Sequence, residues 1–120
     1  MLAAEAPVRV VQEVAEDLVV PTPVLVEVDY WVRRLGAETW AIFADDLARG
    51  AYRLHGLDAA DVARAAELET TYASLNLGFV DAAVIVTCER LGETKVATLD
   101  RRDFSVVRPR HCDALRLLPE

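Results

Sequence analysis

Short β-branched runs alternate with amphipathic helical stretches along this chain, and this alternation constrains the fold more than any other feature. The run "LVVP" at residues 18–21 is stopped by a proline, and "KVATL" at residues 95–99 is mostly apolar. Both are typical of buried strands. With "AYRLHG" and "ALRLL" as further strands and helices between them, the pattern predicts a parallel, three-layer α/β fold.

Apolar residues at helical spacing occupy the segments between these runs. "EAPVRVVQEVAEDL", which ends at Leu18, is predicted to be the first helix. Thr22 suits an N-cap and Pro23 a first helical position, in a helix that ends at Gly36. Further helices are predicted from Glu38 to Ala48, from a cap at Asp58, and over 79–91 with closure by Gly92. In the helix that ends at Gly36 and in the helix from Glu38 to Ala48, the residues predicted to face inward are Val24, Val28, Trp31, Val32, Leu35, Trp40, Phe43 and Leu47.

Length and composition indicate one globular domain. The chain has 120 residues, 53% of them hydrophobic, which is enough for a core and excludes a disordered chain. We therefore take 1–120 as a single domain. No apolar run is long enough to span a membrane, and no secretory signal is visible. Cys88 and Cys112 are too few for a disulfide framework, so we expect reduced thiols and a cytoplasmic protein.

The net charge of −7 argues against a general nucleic-acid coat protein, because phosphate binding normally needs a basic surface. The charge is uneven, however. Arg101, Arg102, Arg108 and Arg110 crowd beside Asp100 and form a local basic strip. This strip is suited to holding RNA, although a solvated charged surface explains it equally well.

Three acids fall where a parallel sheet would gather them. Glu27 lies early in the helix after "LVVP", Asp81 begins its own helix, and Asp100 follows "KVATL". In right-handed β-α-β crossovers, helix N-termini lie beside the carboxyl ends of the strands, where ligands bind. Each acid also has an ordinary explanation: an N-cap for Asp81, a solvated margin for Glu27, and a turn for Asp100.

Clustered carboxylates repel one another, and a divalent cation relieves the repulsion. Mg²⁺ or Mn²⁺ prefers such oxygen ligands, and a water on the metal can attack a phosphodiester. No competing Ser-His-Asp or Cys-His arrangement and no glycine-rich phosphate loop is seen. His55 and His111 have no partner motif and are expected at the surface.

The segments "VVPTPVLVEVDYWVRR" and "GFVDAAVIVTCERLGETKVATLDRRDF" resemble the PIN-domain ribonucleases, specifically the VapC-type toxins of toxin–antitoxin pairs. The resemblance covers nearly the whole chain and implies a three-layer PIN-like fold. It also implies an endoribonuclease dependent on Mg²⁺ or Mn²⁺, acting on structured RNA such as tRNA or ribosomal RNA. A cognate VapB-like antitoxin and a homodimer are further implications.

Site residues follow from the same resemblance. Glu27 matches the second acid of the family, and Asp81 matches the third, a principal metal ligand. Asp100 matches the fourth acid, and Asp103 matches a further acid often found there. Thr98 matches a small polar position that orients the site. Glu27, Asp81 and Asp100 are thus the expected catalytic set, and Arg101 and Arg102 are expected to bind RNA.

One departure from the family is large. The family begins with a central hydrophobic strand ending in Asp, whereas this chain starts at "MLAAEAPVRV", after that strand would have ended. We therefore expect an N-terminally truncated domain with its first strand missing and no residue in the place of the first acid. Neighbouring strands would then expose unpaired backbone groups, at about 1–3 kcal/mol each. Either the protein starts upstream, or the gene is truncated, or another segment fills the gap.

Two other functions remain open. A catalytically inactive PIN-like module would still capture an antitoxin or another partner protein. A receiver-like α/β domain would need a lysine near its acidic pocket, and the single lysine, Lys95, begins its strand instead of ending it.

Overall fold

The computed structural model describes residues 1–3, 18–98 and 100–118. Within them, helices alternate with short parallel strands, as the sequence pattern predicts. The strands are β1 (Leu18–Pro21), β2 (Tyr52–His55), β3 (Lys95–Ala97) and β4 (Arg116–Leu118). The helices are α1 (Val24–Arg33), α2 (Ala37–Ala48), α3 (Ala59–Thr71), α4 (Phe79–Leu91) and α5 (Arg102–Val106), with a 3₁₀ turn at Ala73–Leu75.

The strands form two parallel pairs that the first residues of the chain join. β1 pairs with β2, and β3 pairs with β4. Between the pairs lies Met1–Ala3. The Leu2 N–H donates to the Val19 carbonyl at 2.9 Å, and the Ala3 N–H donates to the Ala97 carbonyl at 3.0 Å. The lateral order is therefore β2, β1, residues 1–3, β3, β4, with all pairings parallel where they are assigned.

This arrangement fits one of the alternatives left open for the centre of the sheet, in which another segment lies in the gap. The gap expected at the centre of the sheet is partly filled by Met1–Ala3, whose backbone satisfies groups on both neighbours. The Met1 carbonyl accepts a 2.8 Å hydrogen bond from the Ala97 N–H, and all three residues are buried. Only an isolated bridge, not a full strand, is assigned there among the described residues. Three residues are too few to show a strand period in the sequence.

Helix boundaries follow the predictions with small differences. Pro23 is the N-cap of α1, so the helix starts one residue later than predicted and ends at Arg33, before Gly36. The predicted first helix lies outside the described residues apart from Leu18, which belongs to β1. β3 ends at Ala97, and helix α5 was not predicted.

Burial departs from prediction in α1 and α2. Trp31 and Leu35 were placed on a buried face, but both are exposed because none of the described elements covers that side of α1. Val24 and Val28 are buried as expected. On α2 no residue is fully buried, and its inward-facing residues Trp40, Phe43 and Leu47 are half-buried.

Helix α4 runs through the middle of the core. Its residues 82–88 are all buried, which explains a helix that is apolar on most of its circumference. α4 ends at Gly92, whose φ of 68° is the left-handed conformation that glycine adopts without strain. α3 packs along α4 and begins with a reciprocal capping box between Asp58 and Asp61. No helix in the described ranges is long and apolar enough to cross a bilayer.

Candidate active site

A cleft of about 280 Å³ opens at the carboxyl edge of the sheet. Four parts of the chain build it: Ala3, the first turn of α1, the start of α4, and the loop after β3. This is the edge at which the sequence analysis placed the acids. The lining residues are Ala3, Glu27, Gly78, Phe79, Val80, Asp81, Thr98 and Asp100.

Three carboxylates meet at this cleft. Asp81, Asp100 and Asp103 each offer an oxygen, and these oxygens all lie within 4.8 Å of one another. Asp81 is in the first turn of α4, where the positive end of the helix dipole favours a negative charge. Asp103 is buried, whereas Asp81 and Asp100 are half-buried and line the cleft. This carboxylate cluster is an oxygen-only donor set of the kind that hard divalent cations prefer.

Thr98 holds the backbone of Asp100. Its buried hydroxyl accepts a 3.0 Å hydrogen bond from the Asp100 N–H and lies 3.3 Å from the Asp100 carbonyl. The Thr98 N–H donates to the Leu118 carbonyl at 3.0 Å, which fixes the threonine to the edge of β4. The Asp100 carboxylate in turn accepts from the Arg102 N–H at 3.3 Å. The orienting role of Thr98 stays a prediction.

Glu27 lines the same cleft but stands apart from the carboxylate cluster. It is half-buried in the first turn of α1, and it is absent from the set of oxygens that meet within 4.8 Å. The predicted convergence of acids is therefore observed for Asp81 and Asp100, with Asp103 beside them, while Glu27 lines the same cleft without joining the cluster.

The predicted RNA-binding arginines are at the rim. Arg101 and Arg102 are exposed at the start of α5. The Arg102 Nε lies 3.4 Å from the Asp103 Oδ1, a long contact for an ion pair. Farther along, Arg110 pairs with Glu67 at 3.0 Å, so part of the basic strip is already neutralised by the protein itself.

Sequence reasoning missed four residues of the cleft wall: Ala3, Gly78, Phe79 and Val80. Ala3 was missed because the N-terminal segment was not expected in the sheet. Phe79 and Gly78 precede Asp81 closely, and this adjacency at a helix start was the available signal.

A second charged region lies at the other end of α4. The Glu89 carboxylate accepts two 2.9 Å hydrogen bonds from the Arg64 guanidinium and a 2.8 Å bond from the Arg110 N–H. Burial raises the pKa of Glu89, but these hydrogen bonds and the neighbouring positive charges lower it more, so the net shift is downward. The pairs Arg64–Glu89 and Arg90–Asp61, with Asp58, form what we call the ion-pair network.

Cys88, His55 and His111 do not line this cleft. Burial raises the pKa of the Cys88 thiol to about 12, so it stays protonated and inert. His55 and His111 are half-buried instead of lying at the surface as expected. The His111 Nε2 lies 2.7 Å from the Glu93 carbonyl, a contact that draws the ring inward.

Comparison with known proteins agrees with this geometry. Residues 3–108 match the family model of the PIN domain. The chain is 38% identical over 96 residues to Ribonuclease VapC26 of Mycobacterium tuberculosis (strain ATCC 25618 / H37Rv). That similarity covers 79% of this chain and 71% of the relative. The chain therefore belongs to the PIN-domain family, as a nuclease of the VapC type.

Proposed function

We propose that this protein is an endoribonuclease of the VapC toxin type that depends on a divalent cation, Mg²⁺ or Mn²⁺. One observation carries the proposal: the oxygens of Asp81, Asp100 and Asp103 lie within 4.8 Å of one another at an open cleft. Like charges gathered in this way oppose folding, and a cation at the same place offsets the repulsion. The name of the relative, Ribonuclease VapC26, supports RNA as the substrate.

Each residue of the site has its own proposed role. Asp81, Asp100 and Asp103 would hold the cation, and Glu27, which lines the same cleft, would complete the acidic set. A bound divalent cation supplies an activated water and charge stabilisation at the leaving oxygen. Thr98 keeps the Asp100 backbone in place, and Arg101 and Arg102 at the rim bind RNA phosphates on the approach.

Ala3 is a small apolar residue in the wall of this acidic cleft. The family's first strand ends in an acid, and here Ala3 lies between β1 and β3 and lines the cleft. Among the described residues, three carboxylates lie close enough to hold the cation together. An inactive module that only binds a partner is the alternative that a metal-binding test excludes.

Partners are proposed on the family's pattern. A cognate VapB-like antitoxin and a second copy of the chain would cover apolar surface, and the cytoplasm is where such pairs act. Val26, Tyr30, Leu35 and Ile42 on and beside α1 and α2 are exposed and would suit such contacts. A structured RNA such as tRNA or ribosomal RNA is the proposed substrate.

RNA cleavage by the purified chain tests the proposal. We expect Mg²⁺- or Mn²⁺-dependent cleavage of total RNA, abolished by a chelator and by Asp81→Asn. Asp45→Asn is the matched control, since Asp45 is an exposed acid on α2 outside the cleft. Equal cleavage by the parent protein and Asp81→Asn, or cleavage that survives the chelator, would contradict the proposal.

A further inference from the structure

Phe79 stands in the wall of the cleft without taking part in the hydrophobic core. Of the three phenylalanines, Phe104 is buried and Phe43 packs against the core, whereas Phe79 does neither. Its side chain is 42% exposed, and no ring among the described residues stacks on it. Single exposed apolar side chains are common on protein surfaces, so the position of this ring decides what it means.

That position is beside the carboxylate cluster. Phe79 is the first residue of α4, two residues before Asp81, and both line the cleft. The chain does not need the ring to enter the helix, because Leu77 is buried just ahead of it and anchors the entry. The fold thus leaves the face of Phe79 available to a bound molecule.

Gly78 provides a second, independent observation. Its φ of −80° and ψ of 165° are open to any residue, and a Cβ added there would meet no atom within 4 Å. Neither backbone conformation nor packing therefore requires glycine at this position. Its missing side chain leaves open space in the cleft directly next to Phe79.

We propose that Phe79 is a substrate-positioning residue on which one nucleobase of the RNA stacks, next to the phosphodiester at the carboxylate cluster. The inference rests on the proposed ribonuclease function. Every nucleobase has a flat π-face, and aromatic side chains are the usual platforms for bases that have left a helix. The carboxylates of the cleft repel RNA phosphates, so a neutral ring beside them supplies affinity that the acids cannot.

Kinetics on a short random-sequence single-stranded RNA test this role. Phe79→Ala is expected to raise KM about five- to a hundredfold, in line with the loss of one base–aromatic stack, while kcat changes less. Phe79→Trp should retain the parent KM because it keeps a ring. Phe79→Leu should resemble Phe79→Ala because it keeps apolar bulk without a π-face. Leu91→Ala is the matched control, at the far end of the same helix with 43% exposure.

A binding readout separates stacking from indirect damage to the cleft. The same RNA carrying 2-aminopurine should lose fluorescence when the parent protein or Phe79→Trp binds, and much less with Phe79→Ala. Gly78→Val should fill the space beside the ring and weaken binding. Gly56→Val is its control, because a Cβ at Gly56 also meets no atom within 4 Å and Gly56 lies outside the cleft.

The outcomes distinguish the two proposals. If the parent cleaves RNA and folded Phe79→Ala or Phe79→Leu matches its KM and its quenching, the stacking role is overturned alone. If the parent neither binds nor cleaves RNA, the proposed function fails and the stacking role fails with it. Melting curves of each variant establish that the comparison is between folded proteins.

Discussion

The two ends of helix α4 arrange charge in opposite ways. At its first turn, Asp81 lies with Asp100 and Asp103, and three carboxylates share one small region. At its last turns, Glu89 and Arg90 each meet an opposite charge on α3, with donor–acceptor distances of 2.8 to 2.9 Å. The same helix thus carries a cluster of like charges and a network of paired ones.

This difference suggests that one end of α4 serves stability and the other end serves function. Paired and hydrogen-bonded charges between α3 and α4 hold two helices in register and favour the folded state. Like charges held close together oppose folding, and proteins accept such local conflicts mainly at functional sites. The ion-pair network is therefore expected to govern unfolding, and the carboxylate cluster to govern metal binding and cleavage.

Two buried aspartates allow the sharpest test of this separation. Asp103 in the cluster and Asp61 in the network are 4% and 5% exposed. Asp103→Asn should weaken Mn²⁺ binding at least about 100-fold, because loss of a ligand costs more than the 10–100-fold typical of outer-shell changes. Asp61→Asn should leave Mn²⁺ affinity unchanged. Calorimetric titration measures both, and similar losses in the two variants would break the comparison.

The free energy of unfolding should show the opposite order, with a larger loss for Asp61→Asn than for Asp103→Asn. Asp61→Asn weakens a 2.8 Å bond to the Arg90 Nε and half of the capping box with Asp58. We expect its free energy of unfolding to fall by about 1–3 kcal/mol. Asp103→Asn should cost less, because it also removes like-charge repulsion. Urea denaturation without added metal gives both values, and a larger loss for Asp103→Asn would contradict the separation.

Ala3→Asp extends the carboxylate cluster. It adds an acid to the wall of the cleft, and more ligand charge tightens a divalent site. We expect Mn²⁺ affinity and RNA cleavage to rise on the order of tenfold. Ala3→Asn is the isosteric control without the charge. A gain shared by both variants, or absent from both, would remove Ala3 from the metal site.

The rim arginines should have a smaller and salt-dependent effect. Arg101→Ala and Arg102→Ala each remove one exposed positive charge near the cleft. Each should weaken RNA binding a few-fold and reduce the slope of log affinity against log salt by about one. Arg49→Ala, on the far end of α2, is the control. An unchanged slope would assign both arginines to the solvated surface.

The smallest expected effect is on how the stability of the protein changes with pH. The folded-state pKa of Glu89 is lowered below its ordinary value of about 4.3. Its contribution is therefore fully present above that value and is lost as pH falls through the folded pKa. Melting temperatures of the parent should decline more steeply below about pH 4 than those of Glu89→Gln. Parallel curves for the two proteins would show that Glu89 does not contribute in this way.

Local sequence signals predicted the parts of the fold that local interactions determine. The α4 helix ends at Gly92 as predicted, and the Asp58 cap is present as a capping box. Because helix N-termini lie beside the carboxyl ends of parallel strands, the sequence predicted that Asp81 and Asp100 lie close together, as they do. The match to the PIN-domain family model confirmed the fold. Their catalytic roles remain predictions.

Features that depend on packing between distant segments could not be predicted. Met1–Ala3 is placed by hydrogen bonds to two strands, and three residues carry no periodicity that would show it. The exposure of Trp31 depends on which elements cover α1, and the spacing of apolar residues in the sequence does not reveal those elements. The ion-pair network depends on how α3 lies along α4, so residues 25 positions apart, such as Arg64 and Glu89, gave no signal.

Mn²⁺ titration of the parent chain and Asp81→Asn by calorimetry tests most directly whether the carboxylate cluster is a divalent-metal site. We predict saturable binding to the parent protein that Asp81→Asn abolishes while its melting temperature is unchanged or higher. Absence of binding to the folded parent, or equal binding to both proteins, would contradict the assignment of this cluster as the metal site.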